Sequence, residues 1–461
     1  MNGLRQKIRV PERFRDPCHP RSNSSKYMTT YKGQTMGKLI RVFEHQTLKV
    51  NQVIDEVEFD AETLKALQHY YGDKGVPYFS LTHNGVRFNE YVGVIQAGAV
   101  TIEVLPKADA AFAETDEKKA WHNILIDMLF AVGVFDIHAP SSSSLKLKPN
   151  SILDLYFELF IREVEYLVHA GLVKQYRKKE ANVSALKGSL QFGKHIHHNL
   201  THQERFYVRH TVYDVEHKLH LILYKTICLL KQLNTNQGLH SRIGALLLHF
   251  PEMPALKVTE ATFASLAFNR KTQSYKTAIS IAKLLLLHYH PDVSQGRNNV
   301  LALMFDMNLL WEQFVYVSLR KNASIKVTAQ SSRHFWESDT GTLSKMRPDI
   351  WIQKGEESFV LDTKWKNLNG KNPSPEDLRQ MYVYHEYYSA KKVALVYPGA
   401  EKEATKGTFI SPHENIKSEK ECSIISISVP RKTEDKKIVK NWQKSIEDKF
   451  IDWMHLPITK K

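Results

Sequence analysis

Arg347-Pro348-Asp349-Ile350-Trp351-Ile352-Gln353-Lys354-Gly355-Glu356-Glu357-Ser358-Phe359-Val360-Leu361-Asp362-Thr363-Lys364-Trp365-Lys366 is the stretch that decides the fold. Two apolar-rich runs of strand length flank a charged turn containing Gly355, the pattern of a β-hairpin. Asp362 and Lys364 are two apart, so a strand points both to one face. Asp349 opens the partner strand and can be placed beside them. Two carboxylates and a lysine on one sheet face make a poor core and a good site for a divalent metal. Other acid-x-Lys triplets exist, such as Asp116/Lys118 and Glu447/Lys449. They fall in charged or helical segments, where positions i and i+2 do not share a face.

Outward from the hairpin the order is helix, three strands, helix, strand. The spacing of apolar residues predicts a helix over 301–319 and a strand over 325–329. Pro373 and Pro375 punctuate a loop, and an acid-rich start suits a helix over 376–388. The apolar run 393–397 reads as a buried strand stopped by Pro398-Gly399, and a basic helix is expected over 434–454. Glu312 lies inside the apolar run Trp311-Glu312-Gln313-Phe314-Val315. It is either an exposed flank of the helix or a buried carboxylate in need of a partner. Gln380 and Tyr384 share a helix face at i, i+4, placed to hydrogen-bond a substrate or to brace Lys364.

Upstream, residues 1–36 read as a basic flexible tail with Pro11, Pro17, Pro20 and a serine run. Short strands between 38 and 109, followed by a helix ending at Gly133, predict a small β-rich docking domain over 37–135. Residues 145–295 read as a helical middle region. Residues 300–461 form a C-terminal α/β domain, so the fold class is multidomain α+β. In the middle region His198 and His202 have helical metal-ligand spacing, with His195 and His197 nearby. No H-E-x-x-H pattern or cysteine partner accompanies them, and they read as a solvated basic face. Deleting 36–110 is expected to leave the C-terminal domain folded.

The chain has 461 residues, with 64 Lys+Arg against 49 Asp+Glu, a formal net charge of +15. That excess points to a polyanionic partner, nucleic acid first. The three cysteines are far apart, which argues against a disulfide framework and a CxxC zinc site and suits a reducing cytoplasm. The start is charged throughout and lacks a signal-peptide core. The greasiest stretch, 279–289, is interrupted by Lys283 and is too short to span a bilayer, so no membrane partner is expected.

The acid, acid, lysine set suits phosphodiester hydrolysis. Mg²⁺ keeps several waters, so Asp349 and Asp362 suffice as its protein ligands. A bound metal polarises the phosphoryl oxygen and acidifies water. Lysine beside two carboxylates stays protonated, which favours an orienting and electrostatic role for Lys364.

Pro348-Asp349 followed by Asp362-Thr363-Lys364, in this element order, resembles the PD-(D/E)xK nuclease superfamily. A narrower resemblance rests on further motifs. These are Asn89-Glu90-Tyr91-Val92-Gly93-Val94-Ile95 with Leu105-Pro106-Lys107; Leu186-Lys187-Gly188; Tyr275 with Ala278 and Leu284; Glu312-Gln313-Phe314-Val315; and Asp377-Leu378-Arg379-Gln380-Met381-Tyr382-Val383-Tyr384. Over roughly residues 40–400 the chain resembles the McrC family, the nuclease subunit of McrBC-type restriction systems. Ser189 stands where that family has a basic residue after the glycine. The resemblance implies a PD-(D/E)xK nuclease domain with αβββαβ core at 300–461, cutting double-stranded DNA with Mg²⁺. It also implies an N-terminal region that docks on a separate McrB-like AAA+ GTPase. The chain has no P-loop of its own, which agrees with a motor on another chain. The expected function is a Mg²⁺-dependent DNA endonuclease subunit of a restriction complex under control of that GTPase. The sequence leaves open whether it cuts DNA bearing modified cytosine or, as a type II-like complex, unmodified sites protected by a companion methyltransferase. Alternatives are a non-catalytic DNA-binding or GTPase-activating adaptor, and a repair or mobile-element nuclease.

Overall fold

The computed structural model describes residues 38–107, 114–133, 151–290, 299–366, 368, 371–399, 405–411, 416–430 and 438–456. The expected tail at 1–36 lies outside them. Among the described residues no helix is long and apolar enough to cross a membrane. The chain is a mixed α/β protein of two compact units, one holding 154–288 and the other 38–153 with 289–461.

The larger unit begins with a five-stranded sheet. Its order is Lys38–Phe43, Val100–Leu105, Tyr91–Ala97, Val300–Asp306, Tyr289–His290. Val100–Leu105 is buried along its whole length, as a strand covered on both faces must be. Gly93 has φ +137°, and a Cβ there would stand 2.2 Å from the Leu303 carbonyl oxygen. Only glycine lets the two strands pair at that point. Helix Ala61–Tyr71, capped by Asp60 accepting from the Thr63 N–H, belongs to this region. Its Leu64 and Leu67 join Phe79, Phe88, Ile95, Ile102 and Ala302 in one core.

Here the structure corrects the reading of 301–319 as a single helix. Val300–Asp306 is a strand, and the helix is Met307–Arg320. Asp306 ends the strand and caps the helix, accepting from the N–H groups of Asn308 and Leu309. The first sheet therefore runs directly into the helix that carries Glu312.

The second sheet has six strands in the order Lys326–Ala329, Ile350–Lys354, Glu357–Thr363, Lys392–Gly399, Lys417–Ser428, Thr405–Ile410. The hairpin is formed as the sequence predicts, with Ile350 opposite Leu361, Lys354 opposite Glu357 and the turn at Gly355-Glu356. Glu357–Thr363 then pairs in parallel with Lys392–Gly399 through helix Pro375–Tyr387. That helix packs Met381 and Tyr384 with Val360, Val393 and Leu395. On helix Ile438–His455, Trp453 meets Phe359 and Trp442 meets Trp311 and Phe314. A two-stranded ribbon, Arg333–Glu337 with Leu343–Met346, is inserted before Asp349.

The smaller unit holds helices Lys218–Leu233, Gln237–His249 and Lys276–Leu287 and most of Ile152–Ala170. It is not purely helical as expected. Ser189–Leu190, Phe206–Asp214 and Gln175–Val183 form an antiparallel sheet. The glycine of Leu186-Lys187-Gly188 has a packing reason: a Cβ at Gly188, at φ +70°, would stand 2.3 Å from the Arg209 carbonyl oxygen. The four histidines do not form a metal-ligand cluster among the described residues. His197 packs edge-on to His198, which stacks on Tyr207, while His195 Nδ1 contacts Asn199 and His202 pairs with Glu204. Cys422 is a buried free thiol.

Because Val300–Asp306 pairs along Tyr91–Ala97 over its full length, the region before residue 110 is not separable from the C-terminal part of the larger unit. Deleting 38–107 is expected to abolish the cooperative thermal transition of the larger unit, contrary to the modular expectation from sequence. A melt of the truncated chain with an unchanged transition for that unit would contradict this.

Candidate functional site

Asp349 enters its strand after Pro348, which cannot donate a ladder hydrogen bond. One carboxylate oxygen of Asp349 accepts from the Thr363 N–H at 2.7 Å and the Thr363 hydroxyl at 2.8 Å. The Asp349 carbonyl accepts from the Gln330 N–H at 2.9 Å. The middle residue of Asp362-Thr363-Lys364 thus fastens the first acid across the hairpin.

Asp362 is 1% exposed, and Lys364 Nζ lies 2.7 Å from its Oδ2. That contact is a close ion pair. Burial, then Asp349, pushes the Asp362 carboxyl up to about 6 against the pull of Lys364. Burial works against the charge on Lys364, but Asp362 and then Asp349 outweigh it and hold the ammonium above its usual range. The two carboxylates thus favour the charged form of Lys364. Its backbone N–H donates to the Val396 carbonyl, which extends the parallel pairing one residue beyond the strand.

Glu312 is buried on helix Met307–Arg320, so of its two readings the buried one holds. It accepts from Gln330 Nε2 at 2.9 Å. Burial, with Asp349 adding to it and Gln330 opposing, pushes Glu312 up to about 7. Asp362 also raises it. Gln330 binds the Glu312 carboxylate through its side chain and the Asp349 backbone carbonyl through its N–H. It does so in a left-handed conformation, φ +50°, that costs a non-glycine residue about 1 kcal/mol or more.

Gln380 and Tyr384 do face one way, but they do not reach Lys364. Gln380 Nε2 donates to the Tyr384 hydroxyl at 2.7 Å, and that hydroxyl donates to the Arg347 carbonyl at 3.1 Å. The pair props the chain just ahead of Asp349.

The sequence reading missed the supports. Thr363 and Gln330 hold the acids, and Trp365 anchors the strand end. The Trp365 indole donates to Glu44 Oε1 at 2.6 Å, and its backbone N–H donates to Asn308 Oδ1 at 3.2 Å. Glu44 also accepts from the Lys107 N–H at 2.7 Å. Burial pushes its carboxyl from the usual 4.5 up to about 7, against the hydrogen bonds from Lys107 and Trp365. Folded Glu44 thus holds a proton that the unfolded chain releases. Its stabilising contribution is full below about pH 4.5 and is lost as pH rises through about 7. Glu44→Gln is expected to flatten the fall in melting temperature over that window. A pH profile identical to wild type would contradict it.

A divalent metal suits this donor set on chemical grounds. Burial and neighbouring acids raise Asp362 and Glu312 even with Lys364 beside Asp362, and a bound cation would offset that cost. Among the described residues no three His, Cys, Asp or Glu side chains are already gathered as a ligand cage. Mg²⁺ does not require one, because one or two carboxylates and several waters are its ordinary protein environment.

Comparison with known proteins gives three findings. A family described as "McrBC 5-methylcytosine restriction system component" matches residues 86–398. The Type IV methyl-directed restriction enzyme EcoKMcrBC of Escherichia coli (strain K12) is 22% identical over 260 residues, 51% of this chain and 70% of that protein. A chain from an assembly of Thermococcus gammatolerans McrB AAA+ hexamers with bound McrC superposes with TM-score 0.65 at 18% identity. It covers 89% of this chain and 100% of that one, a likeness of fold.

Proposed function

The chain belongs to the family of McrBC 5-methylcytosine restriction system components, and from that premise we propose that it is the DNA-cutting, McrC-type subunit of such a system. Its C-terminal sheet is read as a PD-(D/E)xK nuclease domain. The observation that carries this reading is the junction of Asp349, Asp362 and Lys364 at the ends of two paired strands, backed by buried Glu312.

Asp349 and Asp362 would hold Mg²⁺, which when bound polarises the phosphodiester and acidifies water. Thr363 keeps Asp349 turned inward. Lys364, held protonated by Asp362, orients the attacking water and offsets charge developing on the phosphate. Glu312, protonated more readily than an ordinary glutamate, adjusts the charge of the site and shapes its wall with Gln330. Tyr384 and Gln380 set the entry of the Asp349 strand. Tyr384→Phe removes two hydrogen bonds and is expected to cost about 2 kcal/mol of stability, with a several-fold drop in kcat at unchanged KM. An unchanged kcat would remove Tyr384 from the site.

The substrate is double-stranded DNA bearing modified cytosine, and the +15 charge favours its binding. The partner is a McrB-like AAA+ GTPase, as in the assembly whose chain shares this fold. The test is cleavage of methylated and unmethylated plasmid by the chain with that GTPase, GTP and Mg²⁺. Cutting of methylated plasmid alone is expected. Cutting of unmodified plasmid would instead favour a companion methyltransferase system, and GTPase stimulation without any cutting would indicate an adaptor.

A further inference from the structure

Trp365 immediately follows Lys364 and is held from every side within the larger unit. Its ring packs edge-on to Trp311 at 5.4 Å and to Trp121 at 6.3 Å. Its indole N–H is bound by Glu44, at the end of the first strand of the N-terminal sheet, and its backbone N–H by Asn308. Asn308 Nδ2 in turn donates to Glu90 Oε2 at 3.2 Å, and the Glu90 carbonyl accepts from the Met307 N–H at 3.0 Å. The second oxygen of Glu44 is buried without a hydrogen-bond partner, so the carboxyl is placed there for the indole and the Lys107 N–H alone. A buried carboxyl with an unused oxygen is costly if it serves packing only.

We propose that Glu44 and Asn308 are positioning residues for Lys364, clamping Trp365 by side chain and by backbone so that the N-terminal sheet sets where the lysine stands. This rests on the nuclease reading of the site. The backbone between Lys364 and Trp365 is pinned on one side by Val396 and on the other by Asn308. The lysine stem starts from that pinned unit, and a shift of the indole moves its ammonium off Asp362. A change at the sheet that carries Glu44 and Glu90 is thereby felt at the cutting site without any contact to DNA.

The test uses the full chain assembled with its AAA+ GTPase, GTP, Mg²⁺ and methylated plasmid. Glu44→Ala and Asn308→Ala are each expected to lower kcat for cleavage roughly tenfold or more, with KM for DNA and stimulation of the GTPase unchanged. Glu44→Gln keeps an oxygen for the indole and is expected to restore most of the rate. Should Glu44→Ala fail to fold, the half-buried Asn308 decides. Wild-type kcat in Asn308→Ala, or no rescue by Glu44→Gln when Glu44→Ala folds and is slow, overturns the proposal. Lys364→Ala run beside them separates the two claims. If it cuts normally the nuclease reading fails, and if it is inactive while the clamp variants cut normally only the clamp fails.

Discussion

Asp362→Asn is expected to lower DNA cleavage by about 10³-fold or more while GTPase stimulation persists, because removing a metal ligand's charge removes most of the stabilisation of the reacting phosphate. The variant should fold. Asp362 is buried, sits against Asp349, and is held at about 6 by that environment, so its charge is a burden to the fold. Asparagine keeps the shape and drops the burden. Loss of cleavage with an undiminished melting temperature would mark Asp362 as a residue kept for chemistry at some cost in stability. Cleavage rates are read under single turnover, so that product release does not mask the step. A rate within a few-fold of wild type would remove Asp362 from the site.

Lys364→Ala should cost about 10²-fold or more in the same assay, the scale seen when one preorganised charge is taken from a transition state. Its Nζ lies 2.7 Å from Asp362, and the two carboxylates keep it charged. A fixed cation does not titrate near neutrality, so the pH dependence of the remaining rate in Lys364→Ala should match that of wild type. A general base would behave otherwise, and the variant would lose an ionisation from its profile. Lys364→Arg is not expected to rescue, because a longer, planar, delocalised guanidinium does not put its charge where the compact ammonium stands.

The hairpin and its polar residues were legible because a strand has an exact period of two. Asp362 and Lys364 had to share a face, and Asp349, opening the partner strand, could be placed beside them. The buried strand 393–397 was legible as an apolar run ended by Pro-Gly. Val300–Asp306 was not. Leu301-Ala302-Leu303-Met304-Phe305 is apolar at every position, so it has no period to read, and Leu, Ala and Met favour helix when nothing else decides. What decides is Tyr91–Ala97, a partner far away in the chain. The sheet strand Gln175–Val183 was missed for the opposite reason: Lys and Arg crowd it, and its exposed and half-covered positions do not alternate cleanly.

Within the candidate site, the residues that bear charge could be named from sequence, and those that hold them could not. Gln330 does its work from a left-handed backbone position that no neighbouring residue announces. Thr363 stood in plain view between Asp362 and Lys364, but its bond to Asp349 depends on the hairpin register. Tyr384 shares a helix face with Gln380 as expected, yet it meets the Arg347 carbonyl and not the lysine.

The central claim is that Asp349 and Asp362 together hold a divalent metal. Titration of the full-length chain with Mn²⁺, followed by electron paramagnetic resonance, measures this without relying on cleavage. Wild type is expected to show a bound-metal signal that Mg²⁺ displaces and that both Asp349→Asn and Asp362→Asn lose. Equal binding by wild type and both variants would contradict the account.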